Sequence, residues 1–483
     1  MEHATRTVID YFRQISQIPR CSQQERQISH WLQQWAAARN LEAQSDSAGN
    51  LVIRVPATAG FEGAPAVVLQ GHMDMVCEKQ AGSDHDFSKD PIALVVDGPW
   101  LTARETTLGA DNGIAIALIL ALVDQPGRSH PPLELFFTVE EETGLTGVLN
   151  MDPALLTGRV LINLDSEDEG VFVVGCAGGR TTTLDLDLPA EPLAADDVLV
   201  QIAAGGMKGG HSGVDIAKHR ANANQVMARL LSAAKSAAPL RLVALTGGTG
   251  RNVIPRACEA LVGCRREQLD GLTAAVAAAA GIIQAEYRVS DPGLSIRVEE
   301  KGSARSGGRG LNADHTARVV DTLLALPAGP VEMDAAFPLL VQTSVNLAMV
   351  ALEAGRLVVT ANLRSSVPSR LDAVRLALEA LGRLAGARVD TNRGYPSWPM
   401  KHNSPLVARC RQIYRDLFQA DPTVQIMHAG LECGVIGERC PGMDMISLGP
   451  TTENPHSPSE RLYLPSVEKV WRLLVALLAS LGR

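Results

Sequence analysis

The sequence predicts an α/β protein with an inserted α+β domain, on three observations. Short apolar strands alternate with helical stretches up to about residue 180. Near residue 180 the pattern changes to period-two alternation followed by long Ala/Leu helices. From about residue 396 the first pattern returns, with a helix, one apolar strand and a final apolar helix. Alternating strand and helix units favour a largely parallel sheet covered by helices.

The elements follow in order. Residues 5–40 read as helical, with Val8, Ile9, Phe12, Ile15, Ile18, Ile28, Trp31, Leu32 and Trp35 at helical spacing. Pro19 breaks this run, and Ser22 with Glu25 forms a capping-box start for a second helix. Strands are expected at 50–55, 66–70, 133–139 and 160–164, and an apolar helix at 114–122. Residues 181–188 alternate in period two, as a half-exposed strand does. Helices follow at 220–237 and 269–287, then a strand at 358–364, a helix at 370–386 and a strand at 445–448. The expected division is 1–180 and 396–483 for one domain, with 181–395 inserted. The insert is long enough for two similar layers, each needing about 100 residues.

At 483 residues the chain has room for two domains with large cores. Apolar content of 46% and charged content of 20% are those of a soluble globular protein. A net charge of −9 argues against nucleic acid as the main partner, because phosphate binding wants a basic face. No segment approaches about 20 uninterrupted apolar residues, so no membrane span is expected. Residues 1–6 are polar and lack the apolar stretch of a signal peptide. The eight cysteines show no CxxC pair. Cys77, Cys176, Cys258, Cys264 and Cys433 lie mostly in apolar or Gly-rich runs and read as reduced and mainly buried, consistent with cytoplasm.

The chemistry begins with His72 and Asp74 at the end of an apolar strand. Residues two apart on a strand share a face, so a carboxylate there can hold the imidazole. Glu140, Glu141 and Glu142 end another strand, and three adjacent carboxylates repel one another unless a cation lies among them. Asp111 sits among glycines, Asp165 follows an apolar strand, and His456 lies between two prolines. Loops at strand ends are where open α/β sheets gather ligands. Two imidazoles and three carboxylates suit zinc, cobalt or manganese better than magnesium. The set can hold two ions if one carboxylate bridges them.

These residues resemble the M20 metallopeptidases. The match runs through Gly71-His72-Met73-Asp74-Met75-Val76, Gly109-Ala110-Asp111-Asn112-Gly113, Thr138-Val139-Glu140-Glu141-Glu142-Thr143-Gly144, Asn163-Leu164-Asp165-Ser166-Glu167 and Pro455-His456-Ser457-Pro458. Lys208-Gly209-Gly210-His211-Ser212-Gly213, Asn252-Val253-Ile254-Pro255-Arg256, Thr343-Ser344-Val345-Asn346-Leu347 and His428-Ala429-Gly430-Leu431-Glu432-Cys433-Gly434 resemble the aminoacyl-histidine dipeptidase group within it. The resemblance implies a zinc-peptidase-like catalytic domain with an inserted lid, and hydrolysis of unblocked dipeptides, Xaa-His or broader. It implies two Zn2+ per chain, with Co2+ or Mn2+ as substitutes. Asp111 would bridge them, Glu142 and His456 would complete one site, and His72 and Asp165 the other. Asp74 would orient His72, and Glu141 would be the general base for a metal-bridging water.

On the inserted domain, the resemblance gives His211 to the oxyanion and Arg364 to the substrate carboxylate, with Asn252 beside one or the other. Glu432 would receive the substrate's amino group. Read alone, the Gly-Gly-His-Ser-Gly stretch is a plain turn before a helix starting near Val214. It is no phosphate loop, since no GKS/T follows. Arg364 alone reads equally as an edge-strand arginine reaching solvent. The chain departs from the family at Glu140, where Asp is typical. It also departs in the basic segment Asp215-Ile216-Ala217-Lys218-His219-Arg220, which bears on substrate preference. Monomer and homodimer both stay open. So do an N-acyl or carbamoyl amino acid amidohydrolase and a non-catalytic metal-bearing binding protein. A serine hydrolase is disfavoured, because there is no GxSxG elbow.

Overall fold

A computed structural model describes residues 3–304, 308–335 and 337–482. Met1 and Glu2, within the polar start, lie outside them. The chain divides into two compact units. The first holds the chain up to Cys176, Trp398–Ile426 and the chain from Leu431 onward; the second holds Ala177–Ser397 and Met427–Gly430.

The first unit is built on an eight-stranded sheet. Val67–His72 pairs in parallel with Leu133–Thr138 on one side and Val160–Asn163 on the other. Val160–Asn163 pairs in parallel with Asp444–Ser447. The flanks are antiparallel: Leu51–Val55 against Leu133–Thr138 and Glu42–Ser45, and Asp444–Ser447 against Val171–Cys176. The sheet is thus mixed rather than largely parallel. Its parallel centre is buried and reads as continuous apolar runs. Because the central strands run the same way, the segments that follow His72, Thr138 and Asn163 leave from one end of the sheet.

The helix Ala110–Asp124 is buried on nearly every side, as expected for a helix apolar all round. It approaches the sheet at Gly71, where a Cβ would lie 2.5 Å from Asn112 Oδ1 and 2.8 Å from Ala115 Cβ. Only glycine fits there, one residue before His72. The helices His3–Ile15, Arg26–Ala37 and Leu464–Leu481 complete the same core.

Two further expectations fail in this unit. Ser22 and Glu25 do not form a capping box, because both side chains have tertiary partners. Ser22 Oγ donates to Asp74 Oδ2 at 2.8 Å, and Glu25 Oε1 accepts the Glu140 amide at 3.0 Å. Cys77 is not a free thiol but is joined to Cys21 in a disulfide. A parallel bridge between Cys21 and Met75 brings the two segments together. The other six cysteines are buried and form no disulfide among the described residues.

The second unit carries a nine-stranded antiparallel sheet made of two similar halves side by side, with the matching strand orders Ser295–Ser303, Asp197–Gly205, Cys258–Arg265, Arg241–Gly247 and Arg388–Thr391, Gly178–Asp187, Arg356–Ser365, Val341–Glu353. Gly178–Asp187 alternates buried and less buried positions, as its period-two sequence requires. It pairs with Arg356–Ser365, which pairs in turn with Val341–Glu353. The helices Ala223–Ala237, Leu269–Glu286, Ala313–Ala325 and Pro368–Ala385 share one apolar core with these strands. No helix among the described residues is long and apolar enough to cross a membrane.

Candidate metal centre

His72 ends the central strand and is 1% exposed. Its Nδ1 lies 3.1 Å from the Asp74 carbonyl oxygen and 3.3 Å from Asp74 Oδ1. Two acceptors on that side assign the proton of the neutral ring to Nδ1 and leave Nε2 as the ligating atom. Nε2 lies 3.0 Å from Asp111 Oδ1 and 3.4 Å from Asp165 Oδ1.

Asp74 is wholly buried and organises more than the imidazole. Its Oδ1 accepts the Glu141 amide at 3.1 Å, and its Oδ2 accepts the Glu142 amide at 3.3 Å. The segment after Leu133–Thr138 turns rather than extends, with Glu140 at φ +51°. Glu141 and Glu142 therefore do not face opposite ways, as an extended segment would require. Both carboxylates gather with His72, ligand atoms within 4.8 Å of one another. Glu140 belongs to no such group among the described residues.

Asp111 lies at the start of the helix Ala110–Asp124, where its peptide to Asn112 is cis. Its second oxygen, Oδ2, is 3.1 Å from His456 Nε2, and that nitrogen is 3.0 Å from Glu142 Oε2. Two groups result, His72–Asp111–Asp165 and Asp111–Glu142–His456, and Asp111 gives one oxygen to each.

The electrostatics are those of a site short of positive charge. Burial pushes Glu142 up to about 6, and the Asp111 carboxylate adds to it. Burial likewise lifts Glu141 well above the usual carboxylate range, with Glu142, Asp165 and Glu432 adding and His72 opposing. Glu167 reaches about 8, through burial and then Asp111 and Asp165. Burial alone would lower His456, but the acceptors Asp111 and Glu142 win and hold it up at about 11. Crowded acids that must hold protons are relieved by divalent cations. Glu142 Oε1 is buried with no hydrogen-bond partner, so one donor atom is left over. The residues present fit a two-cation site in donor type, in sharing and in this orphaned oxygen.

In the second unit, Arg364 sits on an interior strand, paired with both neighbours, and is 5% exposed. It is no edge arginine reaching solvent. Its NH1 donates to Tyr395 Oη at 2.8 Å and its Nε to Ser212 Oγ at 3.3 Å. His211 Nε2 lies 3.4 Å from Arg364 NH2. His211 Nδ1 accepts the Gly213 and Val214 amides at 3.3 and 3.2 Å. His428 Nε2 lies 2.7 Å from Ser344 Oγ, and burial, then Arg364 and His211, push its pKa down to about 3. The basic segment after His211 folds onto Asp215, which pairs with Lys218 at 2.7 Å and Arg220 at 3.4 Å. Asp215 also accepts the His211 amide at 2.8 Å. The expected helix near Val214 is a single 3-10 turn, Ile216–Lys218, and the α-helix starts at Ala223 under an Asn222 cap.

A model of peptidase family M20/M25/M40 matches residues 68–480. The chain belongs to this family. The cytosol non-specific dipeptidase of Escherichia coli (strain K12) is 37% identical over 472 residues, covering 98% of this chain and 97% of that protein. The crystal structure of aminoacylhistidine dipeptidase from Vibrio alginolyticus is 35% identical with a TM-score of 0.87, covering 98% of this chain and 96% of that one. Aminopeptidase PepT from Bacillus cereus, 16% identical with a TM-score of 0.57, shares the fold over 99% of each chain.

In this M20 chain the expected residues sort as follows. His72, Asp74, Asp111, Glu141, Glu142, Asp165 and His456 come together in the first unit. His211 and Arg364 come together in the second. Asn252 is exposed, and it is its backbone carbonyl that accepts the Ser212 amide. Glu432 does not face a substrate amine. It is fully buried, and its Oε2 accepts from Thr138 at 2.7 Å and from Gln70. Burial pushes it up to about 8. Sequence reasoning assigned no role to Glu167, Glu460, Tyr395 or His428. An acid four residues past His456 was the only available mark of Glu460.

Proposed function

We propose that this M20 chain is a metal-dependent dipeptidase acting on unblocked dipeptides. The observation that carries this reading is the sharing of Asp111 between the His72 and His456 groups, beside a glutamate that Asp74 holds by its amide. His72, Asp111 and Asp165 would hold one cation, and Asp111, Glu142 and His456 the other, with zinc the first candidate. When bound, the cations supply a Lewis acid for the scissile carbonyl and a more acidic water. Glu141 takes the proton of the attacking water and returns it to the leaving amine as the C–N bond breaks. Asp74 fixes the His72 ring and the Glu141–Glu142 turn together. His211 is assigned the developing oxyanion. The name of the E. coli relative supports a cytosolic location.

Arg364 is assigned the substrate carboxylate. Among the described residues no carboxylate pairs with it, and its protein partners are Ser212, Tyr395 and the imidazole of His211. A buried cation without a counter-charge is costly, and a carboxylate ligand supplies one. Arg364→Gln is expected to raise KM for free dipeptides about 10- to 100-fold, with a much smaller change for the C-terminal amides. An equal loss on both substrate sets would remove Arg364 from carboxylate recognition.

A panel of free, N-acylated and N-carbamoylated dipeptides tests the reaction class. Free dipeptides are expected to be cleaved fastest. Faster cleavage of N-blocked compounds would make the chain an amidohydrolase instead.

A further inference from the structure

Glu460 lies four residues past His456 and is 2% exposed. Its carboxylate reaches the far side of the centre and accepts four consecutive backbone amides. Oε2 takes those of Leu108 and Gly109 at 2.8 and 2.9 Å, and Oε1 takes those of Ala110 and Asp111 at 2.8 and 3.2 Å. These amides lie in the turn at the kinked start of the helix Ala110–Asp124, where Asp111 and Asn112 depart from helical backbone angles. The acid thus gathers the amides of this turn from a loop about 350 residues away in sequence. Gly109 stands at φ +68°, where a Cβ would lie 2.6 Å from Arg20 NH2 and 2.7 Å from Met75 Sδ, so the four amides can curl around one acceptor only with glycine here. Arg20, 3% exposed, donates to the carbonyl oxygens of Gly109, Met73 and Asp74, binding the same turn to the segment behind His72.

The bonded partners of Glu460 join two ligand-bearing loops. One carries Asp111; the other carries His456, 49% exposed, at the tip of a hairpin in which Thr452–Glu453 pairs with Arg461–Tyr463. We propose that Glu460 is a positioning residue that locks the His456 loop to the Asp111 turn and so sets the geometry of the Asp111–Glu142–His456 cation site. This rests on the two-cation reading above. Glu460 touches neither substrate nor ligand atoms; it acts through the backbone of Asp111 and through the loop that ends in His456. His72 ends a strand of the central sheet, and Asp165 lies two residues past another.

A general loss of stability would weaken both cation sites alike, whereas loss of the lock weakens the His456 site far more than the other, which keeps His72 and Asp165 beside the shared Asp111. The test is a Zn2+ titration of metal-stripped full-length chain against a competing chelator, for wild type, Glu460→Gln, His456→Ala and the double variant. Glutamine keeps the shape but exchanges one acceptor oxygen for a donor that faces the amides. Glu460→Gln is expected to weaken one cation site about 10- to 100-fold and leave the other within about threefold. In the His456→Ala background it should add nothing further at that site. Unchanged affinities, or an equal loss at both sites, would overturn the proposal. If Glu460→Gln does not fold, Glu460→Asp, withdrawn by one methylene, is read by the same titration. A wild type that binds fewer than two cations would sink the two-cation reading and this inference with it. A two-cation wild type with an unaffected Glu460→Gln sinks only the role of Glu460.

Discussion

Replacing Glu141 with Gln is expected to leave the cations bound and to lower kcat on free dipeptides about 10²- to 10⁴-fold, the range a positioned acid–base group supplies. The substitution isolates the proton step. The Glu141 backbone is held through its amide by Asp74, so the turn that presents Glu142 does not depend on the Glu141 side chain. Neither Glu142 nor His456 bonds to that side chain among the described residues. KM should therefore change little while kcat falls. Near-normal turnover in Glu141→Gln would remove Glu141 as the base.

The second large effect belongs to Asp111. Its two oxygens serve two groups, so Asp111→Ala strikes both at once. Metal content is expected to fall from two equivalents per chain to less than one, and turnover by about a thousandfold or more. Asp165→Ala, which touches only the His72 group, should keep about one equivalent. The fold should survive Asp111→Ala, because Glu460 binds the backbone amide at 111 and not the side chain. Circular dichroism of the variant checks this beside elemental analysis. Retention of two equivalents in Asp111→Ala would show that Asp111 does not bridge.

Much of this centre was legible in the chain because its ligands follow apolar strands. Buried parallel strands are uninterrupted runs of Val, Leu and Ile, so His72, the Glu140–Glu142 stretch and Asp165 stand out where those runs stop. The period-two alternation at 181–188 and the helices of the insert were legible for the same reason: side-chain pattern follows backbone period. What stayed hidden depends on partners distant in sequence. Ser22 looks like a helix cap until Asp74 is present to receive its hydroxyl. Cys21 and Cys77 are 56 residues apart, a spacing with no framework signature. Glu432 opens a helix, and only the fold shows that this helix starts beneath the sheet against Gln70 and Thr138. The turn at Glu140–Glu142 stayed hidden because the carboxylates that accept its amides belong to Asp74 and Glu25, distant in sequence.

The most direct measurement is zinc content per chain taken alongside turnover of a free dipeptide, on protein as purified, after chelation, and after zinc is restored. Two equivalents at full activity, loss of turnover as zinc leaves, and recovery as it returns are expected. Full turnover by the chelated chain, or full turnover with no more than one equivalent bound, would contradict a shared two-cation centre built on His72, Asp111, Glu142, Asp165 and His456.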